Sequence, residues 1–143
     1  ALKKVYWPGR FEILRKNPYV VVDGAHNLAG IKVLRKNLQT YFEGKKVTLV
    51  IGMLRDKEYE NCIEHIGELA HCIIATTVPY GSRALSAEEI ADVSKRYFER
   101  VFTEPDLNEA VKLAFAKTGQ DGVICFCGSL YMIGDIKKYV AEI

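Results

Sequence analysis

The chain has 143 residues, 49% of them hydrophobic, and a formal net charge of +2 at neutral pH. That length fits one domain of ordinary size with a sizeable core. Near-balanced charge without a basic arm argues against nucleic acid as a main partner, and the apolar runs are far too short to cross a bilayer.

No signal-peptide pattern opens the chain, and a cytoplasmic protein is expected. The four cysteines, Cys62, Cys72, Cys125 and Cys127, fit that compartment as buried, reduced thiols. Cys125 and Cys127 stand two apart on one face of a strand candidate. That is not C-x-x-C spacing, and no second pair with zinc spacing exists, so no metal site is expected on this chain.

The opening Ala1-Leu2-Lys3-Lys4 lacks an initiator methionine and reads as a domain entered in the middle of a longer protein. Trp7-Pro8-Gly9-Arg10 holds a turn signal, followed by a short edge-strand candidate at 11–14. Asn17-Pro18 makes the next turn into a buried strand, Tyr19-Val20-Val21-Val22. This strand stops at Asp23-Gly24-Ala25-His26-Asn27. The spacing of Leu28, Ile31, Leu34, Leu38, Tyr41 and Phe42 then predicts a helix over 28–42, ending near Gly44. Asn27 is suited to cap it, and the helix end favours an anion just above residues 23–27.

A second apolar strand at 47–51 runs into Gly52-Met53-Leu54-Arg55-Asp56-Lys57-Glu58, and a second helix is expected over 57–69 with Asp56 as its cap. The third strand, 71–76, opens into a polar loop through Arg83 to Leu85. Ser86-Ala87-Glu88-Glu89 fits a capping box for a third helix. A fourth strand at 100–103 leads to a helix that starts at Pro105-Asp106, with Gly119 as its natural C-cap. The fifth buried strand, 122–127, turns at Gly128-Ser129 into a last helix carrying Leu130, Ile133, Ile136 and Val140.

These strands are uniformly apolar, so helices should cover both faces. The expected fold is a doubly wound, mostly parallel, Rossmann-like α/β sheet of about six strands in one domain spanning 1–143. In such a sheet the strand ends point one way. Residues 23–27, 52–57, 76–83, 103–104 and 128–129 should therefore share one rim, which is the site by geometry. G-x-x-x-x-G-K-[ST], G-x-G-x-x-G and G-x-S-x-G are all absent. The chain alone thus cannot hold a triphosphate as a P-loop protein does. His65 and His71 show no partner spacing and read as structural.

Three motifs carry a resemblance. Trp7-Pro8-Gly9-Arg10-Phe11-Glu12, Asp23-Gly24-Ala25-His26-Asn27 and Gly128-Ser129-Leu130-Tyr131 with Gly134 resemble, in order and spacing, the C-terminal domain of the folylpolyglutamate synthase/dihydrofolate synthase family, within the Mur ligase superfamily. The loop ending Asp56-Lys57-Glu58 is similar to a family loop ending in D-K-D, with glutamate for the last aspartate. The resemblance implies an ATP-dependent ligase. A folate carboxylate is activated as an acyl phosphate, and the amino group of L-glutamate attacks it. ATP, Mg²⁺, folate or dihydropteroate and L-glutamate are the implied ligands. An N-terminal domain in cis would carry the P-loop, the Mg²⁺ and most of the folate site, and a monomer is expected. By position, Arg10 would contact ATP phosphates and stabilise developing charge. Asp23 would bind the nucleotide or order its loop, with Asn27 on the same side. His26 would face the incoming glutamate or the phosphate, and Ser129 would bind a glutamate carboxylate at a helix start. The chain alone would have no ligase activity. Another Mur-type amide ligase and a non-catalytic nucleotide-binding module remain the alternatives.

Overall fold

The computed structural model describes residues 9–55, 58–79 and 82–143. Trp7, Pro8, Asp56 and Lys57, named above in motifs and as a cap, lie outside the described residues. Six strands form one sheet: β1 (Glu12–Arg15), β2 (Tyr19–Asp23), β3 (Val47–Ile51), β4 (Cys72–Ala75), β5 (Val101–Thr103) and β6 (Val123–Cys127). Five helices connect or follow them: α1 (Leu28–Tyr41), α2 (Tyr59–Gly67), α3 (Ala87–Lys95), α4 (Leu107–Lys117) and α5 (Ile133–Ala141). The order across the sheet is β1-β2-β6-β3-β4-β5. Only β1 runs antiparallel; the other pairings are parallel. This is the doubly wound sheet expected from the continuous apolar strands.

Alternate residues of each strand feed two separate cores. Val21, Leu49, Ile51, Ile73, Val123 and Cys125 pack against α1, α2 and α3. Val20, Val22, Val50, Ile74, Ile124 and Phe126 pack against α4 and α5. Burying a Val, Leu, Ile or Phe side chain fully contributes roughly 1.5–3 kcal/mol, so both faces hold the sheet firmly. All four cysteines are buried and unbridged. Cys127 hydrogen-bonds Cys125 and, with burial, pushes the Cys125 thiol well up, so these side chains act as packing groups. Among the described residues no helix is long and apolar enough to cross a membrane.

The wiring creates the site. The chain leaves β2 through α1 on one face, skips a place, and enters β3. It returns last to fill that gap as β6, then leaves through α5 on the other face. Connections from neighbouring strands therefore diverge at the carboxyl end of β6, which opens a crevice there. In-register pairing sets Asp23, Cys127, Ile51, Ala75 and Thr103 in one row, so the strand ends do share a rim.

Three local expectations need correction. Helix α4 does not end on Gly119: its C-cap is Thr118, whose hydroxyl donates to the Ala114 carbonyl at 2.6 Å. A side-chain hydroxyl thus satisfies an end carbonyl, and no left-handed glycine is needed. Helix α2 starts at Tyr59 with Glu58 at its N-cap, two residues later than expected. The last helix does not start at Ser129, because a three-residue 3-10 turn over Leu130–Met132 precedes α5.

Candidate functional site

The loop after β2 is built by Asp23. One carboxylate oxygen accepts the Ala25 N–H at 2.8 Å and the other accepts the Phe11 N–H at 3.0 Å. Burial raises the pKa of this carboxyl, while the Ala25 and Phe11 N–H groups and the Arg10 charge pull it back down. Asp23 is 6% exposed. Of the two roles implied for it, the structure supports ordering the loop. Both oxygens serve the backbone, and little of the group faces solvent.

Residues 9–11 are pinned to this loop from the other side. The Gly24 N–H donates to the Gly9 carbonyl at 2.6 Å, and the Gly9 N–H donates to Glu12 Oε1 at 2.9 Å. Glu12 also pairs with Lys137 of α5 at 3.0 Å. Phe11, at φ +45°, lays its ring against Tyr41 and Phe42 of α1. Arg10 therefore stands exposed on a short turn whose two neighbours are both tied down, close enough to Asp23 to influence its charge.

Asn27 caps α1 as expected, its Oδ1 accepting the Gly30 N–H at 2.9 Å. The positive end of α1 already has an anion beside it: the Glu58 carboxylate lies 3.5 Å from the Leu28 N–H. An incoming phosphate must share or displace that contact.

His26 is exposed, and its Nδ1 lies 3.0 Å from the Gly24 carbonyl oxygen. A carbonyl can only accept, so Nδ1 carries the hydrogen in the neutral ring and Nε2 keeps its lone pair. The ring lines a cleft of about 350 Å³ with Leu54, Arg55, Arg83, Gly128, Ser129, Leu130 and Tyr131. Ser129 is 3% exposed and its Oγ accepts the Tyr131 N–H at 3.1 Å. Its own hydroxyl hydrogen remains free to donate. Ser129 caps the 3-10 turn that leads directly into α5, so it stands at a helical start as expected.

The rim thus joins His26 and Ser129 in one cleft, with Arg10, Asp23 and Asn27 beside it rather than lining it. Thr103 and Glu104 lie at the far edge, after β5, and take no part in the lining. A larger hollow of about 580 Å³, lined by Lys45, Lys46, His71 and Lys117, sits at the amino ends of β3, β4 and β6. Parallel α/β sheets bind their substrates at the opposite ends, so the smaller cleft is the candidate site. Among the described residues, no three His, Cys, Asp or Glu side chains gather to hold a metal.

Sequence reasoning did not single out Arg55 or Arg83, and it read Glu89 only as part of a capping box. Arg55 Nη2 meets both oxygens of Glu89 at 2.9 and 3.0 Å. Glu89 is also the acid of the α3 capping box, its Oε1 accepting the Ser86 N–H at 2.9 Å. The Arg55 hydrogen bond, then the Ser86 N–H, hold the Glu89 carboxyl at about 2 against an ordinary 4.5. A depressed carboxyl stabilises the fold above its unfolded value and loses that contribution as pH falls through its folded value. The wild type should therefore melt higher than Glu89→Gln at pH 7, and the gap should close between pH 4.5 and about 2. Glutamine preserves the capping box, so the gap reads the ion pair. A gap that stays constant in thermal melts over that range would refute this assignment.

Comparison with known proteins agrees with the geometry. A family model described as Mur ligase, glutamate ligase domain, matches residues 9–130. The chain is 33% identical over 138 residues to the dihydrofolate synthase/folylpolyglutamate synthase of Bacillus subtilis, covering 96% of this chain and 31% of that protein. It is 32% identical over 110 residues to the Mycobacterium tuberculosis protein of the same name, covering 75% and 22%. Among solved structures, E. coli FolC in complex with DHPP and ADP matches its fold with a TM-score of 0.86 at 22% identity, over 95% of this chain and 32% of that one. Mycobacterium tuberculosis folylpolyglutamate synthase, complexed with ADP and AMPPCP, matches with a TM-score of 0.83 at 27% identity, over 94% and 32%. The chain spans from 16% to 36% of the length of the curated relatives it matches. By the reach of the family model and the identity of these relatives, this chain belongs to the glutamate-ligase domain family of the Mur ligases.

Proposed function

We propose that this chain is the amino-acid-binding domain of an ATP-dependent ligase that adds L-glutamate to a folate or to dihydropteroate. The observation that carries the reading is the cleft at the end of β6, where His26, Arg83 and Ser129 converge in a member of a glutamate-ligase family. A P-loop domain in cis completes the enzyme, because this sequence holds no P-loop of its own. The divalent cation is assigned to that domain too.

The chemistry divides accordingly. A carboxylate oxygen of the folate attacks the γ-phosphorus of ATP; ADP leaves and an acyl phosphate forms. The glutamate amine attacks the acyl carbon, and the tetrahedral intermediate expels inorganic phosphate as the amide forms. The amine arrives as an ammonium and must lose a proton. His26 Nε2, with Nδ1–H donated to Gly24, is oriented to take it. Arg10 offers a fixed, always-charged guanidinium to the phosphate oxygens. Asp23 and Asn27 hold the loop and helix end on which the nucleotide side rests. Acyl phosphates hydrolyse readily, so the two domains must close and exclude water before the amine attacks. A cytoplasmic monomer fits this reading, and the four unbridged cysteines suit that compartment.

The test is incorporation of labelled L-glutamate by the polypeptide comprising this chain and its P-loop domain, with ATP and tetrahydrofolate or dihydropteroate. The expected result is one ADP and one phosphate per amide formed. Incorporation of a different amino acid in preference to glutamate, or none with either acceptor, would refute the reading.

A further inference from the structure

Two arginines enter the cleft beside His26 and Ser129, and their charges are differently placed. Arg55 is matched by both oxygens of Glu89. Arg83 has no acidic partner among the described residues. Among the described residues its Nη2 donates only to the Arg55 carbonyl, at 3.4 Å. A carbonyl orients a guanidinium but leaves its charge unneutralised.

Arg83 is also held at its base more firmly than a loop residue usually is. Leu54 and Ala84 form an antiparallel bridge between the loops after β3 and β4. The Arg55 N–H donates to the Arg83 carbonyl, and the Leu85 N–H donates to the Met53 carbonyl at 2.9 Å. Leu85 and Met53 are buried in the core on the α1–α3 face. Arg83 therefore projects from a two-residue clamp rooted in that core. It stands at a different place on the rim from Arg10, because β2, β6 and β3 separate β1, which Arg10 precedes, from β4, which Arg83 follows, roughly 19 Å at about 4.8 Å per strand.

We propose that Arg83 anchors the side-chain carboxylate of the incoming amino acid, and so selects an acidic amino acid over its amide. This rests on the ligase reading above. The planar fork of a guanidinium matches a carboxylate with two parallel hydrogen bonds. The Arg55–Glu89 pair supplies a neutral wall that does not compete for the ligand. Leu54, Leu130 and Tyr131 line the same cleft and give the methylene chain an apolar surface. A volume of about 350 Å³ lies at the small end of ligand pockets, in keeping with a single amino acid.

Steady-state kinetics of Arg83→Ala and Arg83→Lys in the two-domain polypeptide test this. For alanine the KM for L-glutamate should rise roughly ten- to hundredfold, with kcat and the KM for ATP changed less than about threefold. Lysine should fall between wild type and alanine, because it restores the charge without the fork. Discrimination between L-glutamate and L-glutamine should shrink in the alanine variant. An unchanged KM for glutamate, or an equal rise in the KM for ATP, overturns the assignment while leaving the ligase reading intact. If alanine fails to fold, lysine alone decides: wild-type KM for glutamate refutes the role. A wild-type polypeptide that adds no glutamate overturns the ligase reading and takes this assignment with it.

Discussion

Gly128→Ala should cost about 3 kcal/mol of stability or more, and with it the site. Gly128 sits at φ +113°, where side chains are strained whatever the space. A β-carbon built there falls 2.2 Å from the Gly52 carbonyl oxygen and 3.0 Å from its carbonyl carbon. Backbone must move, not a flexible side-chain tip. Gly52 is itself held, its N–H donating to the Cys127 carbonyl at 3.3 Å. Relief would therefore pull β6 from β3 at the crevice and displace Ser129, the next residue. Gly44→Ala is the control: it shares a positive φ, +81°, but meets nothing within 4 Å. Its cost should stay near 1 kcal/mol. Urea unfolding of both variants measures the difference, and equal midpoints would contradict the steric argument.

His26→Ala should lower ligase turnover about 10²-fold or more and leave the fold intact. General base catalysis by a positioned side chain is worth roughly 10²–10⁴-fold in rate. The ring is exposed and its one hydrogen bond, to Gly24, lies within its own loop, so stability should change by about 0.5 kcal/mol or less. The separation of the two effects is the useful part. Turnover at saturating glutamate and ATP should fall while the thermal melt stays in place. A variant that melts normally and turns over within about threefold of wild type would remove His26 from the chemistry.

The rim was legible because its logic is local. Residues 19–23 form a continuous apolar strand that ends on an acid, and residues 28–41 repeat at helical spacing. Asn27 between them is the right cap in the right place. Uniformly apolar strands implied two helix layers, and the two separate cores follow from that alternation. What remained hidden depends on contacts between distant segments. β6 inserts between β2 and β3 and shares a core with α4 and α5, an arrangement between distant segments that no local spacing encodes. Arg83 lay in a polar loop with nothing nearby to mark it. Its importance comes from the Leu54–Ala84 bridge, which joins residues thirty positions apart. Glu89 was legible as a capping acid, but its second role as the partner of Arg55 was not. Gly119 misled because glycine is the common helix stop, whereas here the Thr118 hydroxyl closes α4. Asp23 read either as a nucleotide-binding acid or as one that orders its loop, and the Phe11 N–H, twelve residues upstream, supports the second role.

The amino acid should bind at the carboxyl end of β6. A crystal of the two-domain polypeptide grown with L-glutamate and a non-hydrolysable ATP analogue tests it most directly. The predicted result is amino-acid density in the cleft of His26, Arg83 and Ser129, with a carboxylate on the Arg83 fork and the amine toward His26 Nε2. Amino-acid density in the lysine-lined hollow at the opposite edge, with the cleft empty, would contradict it.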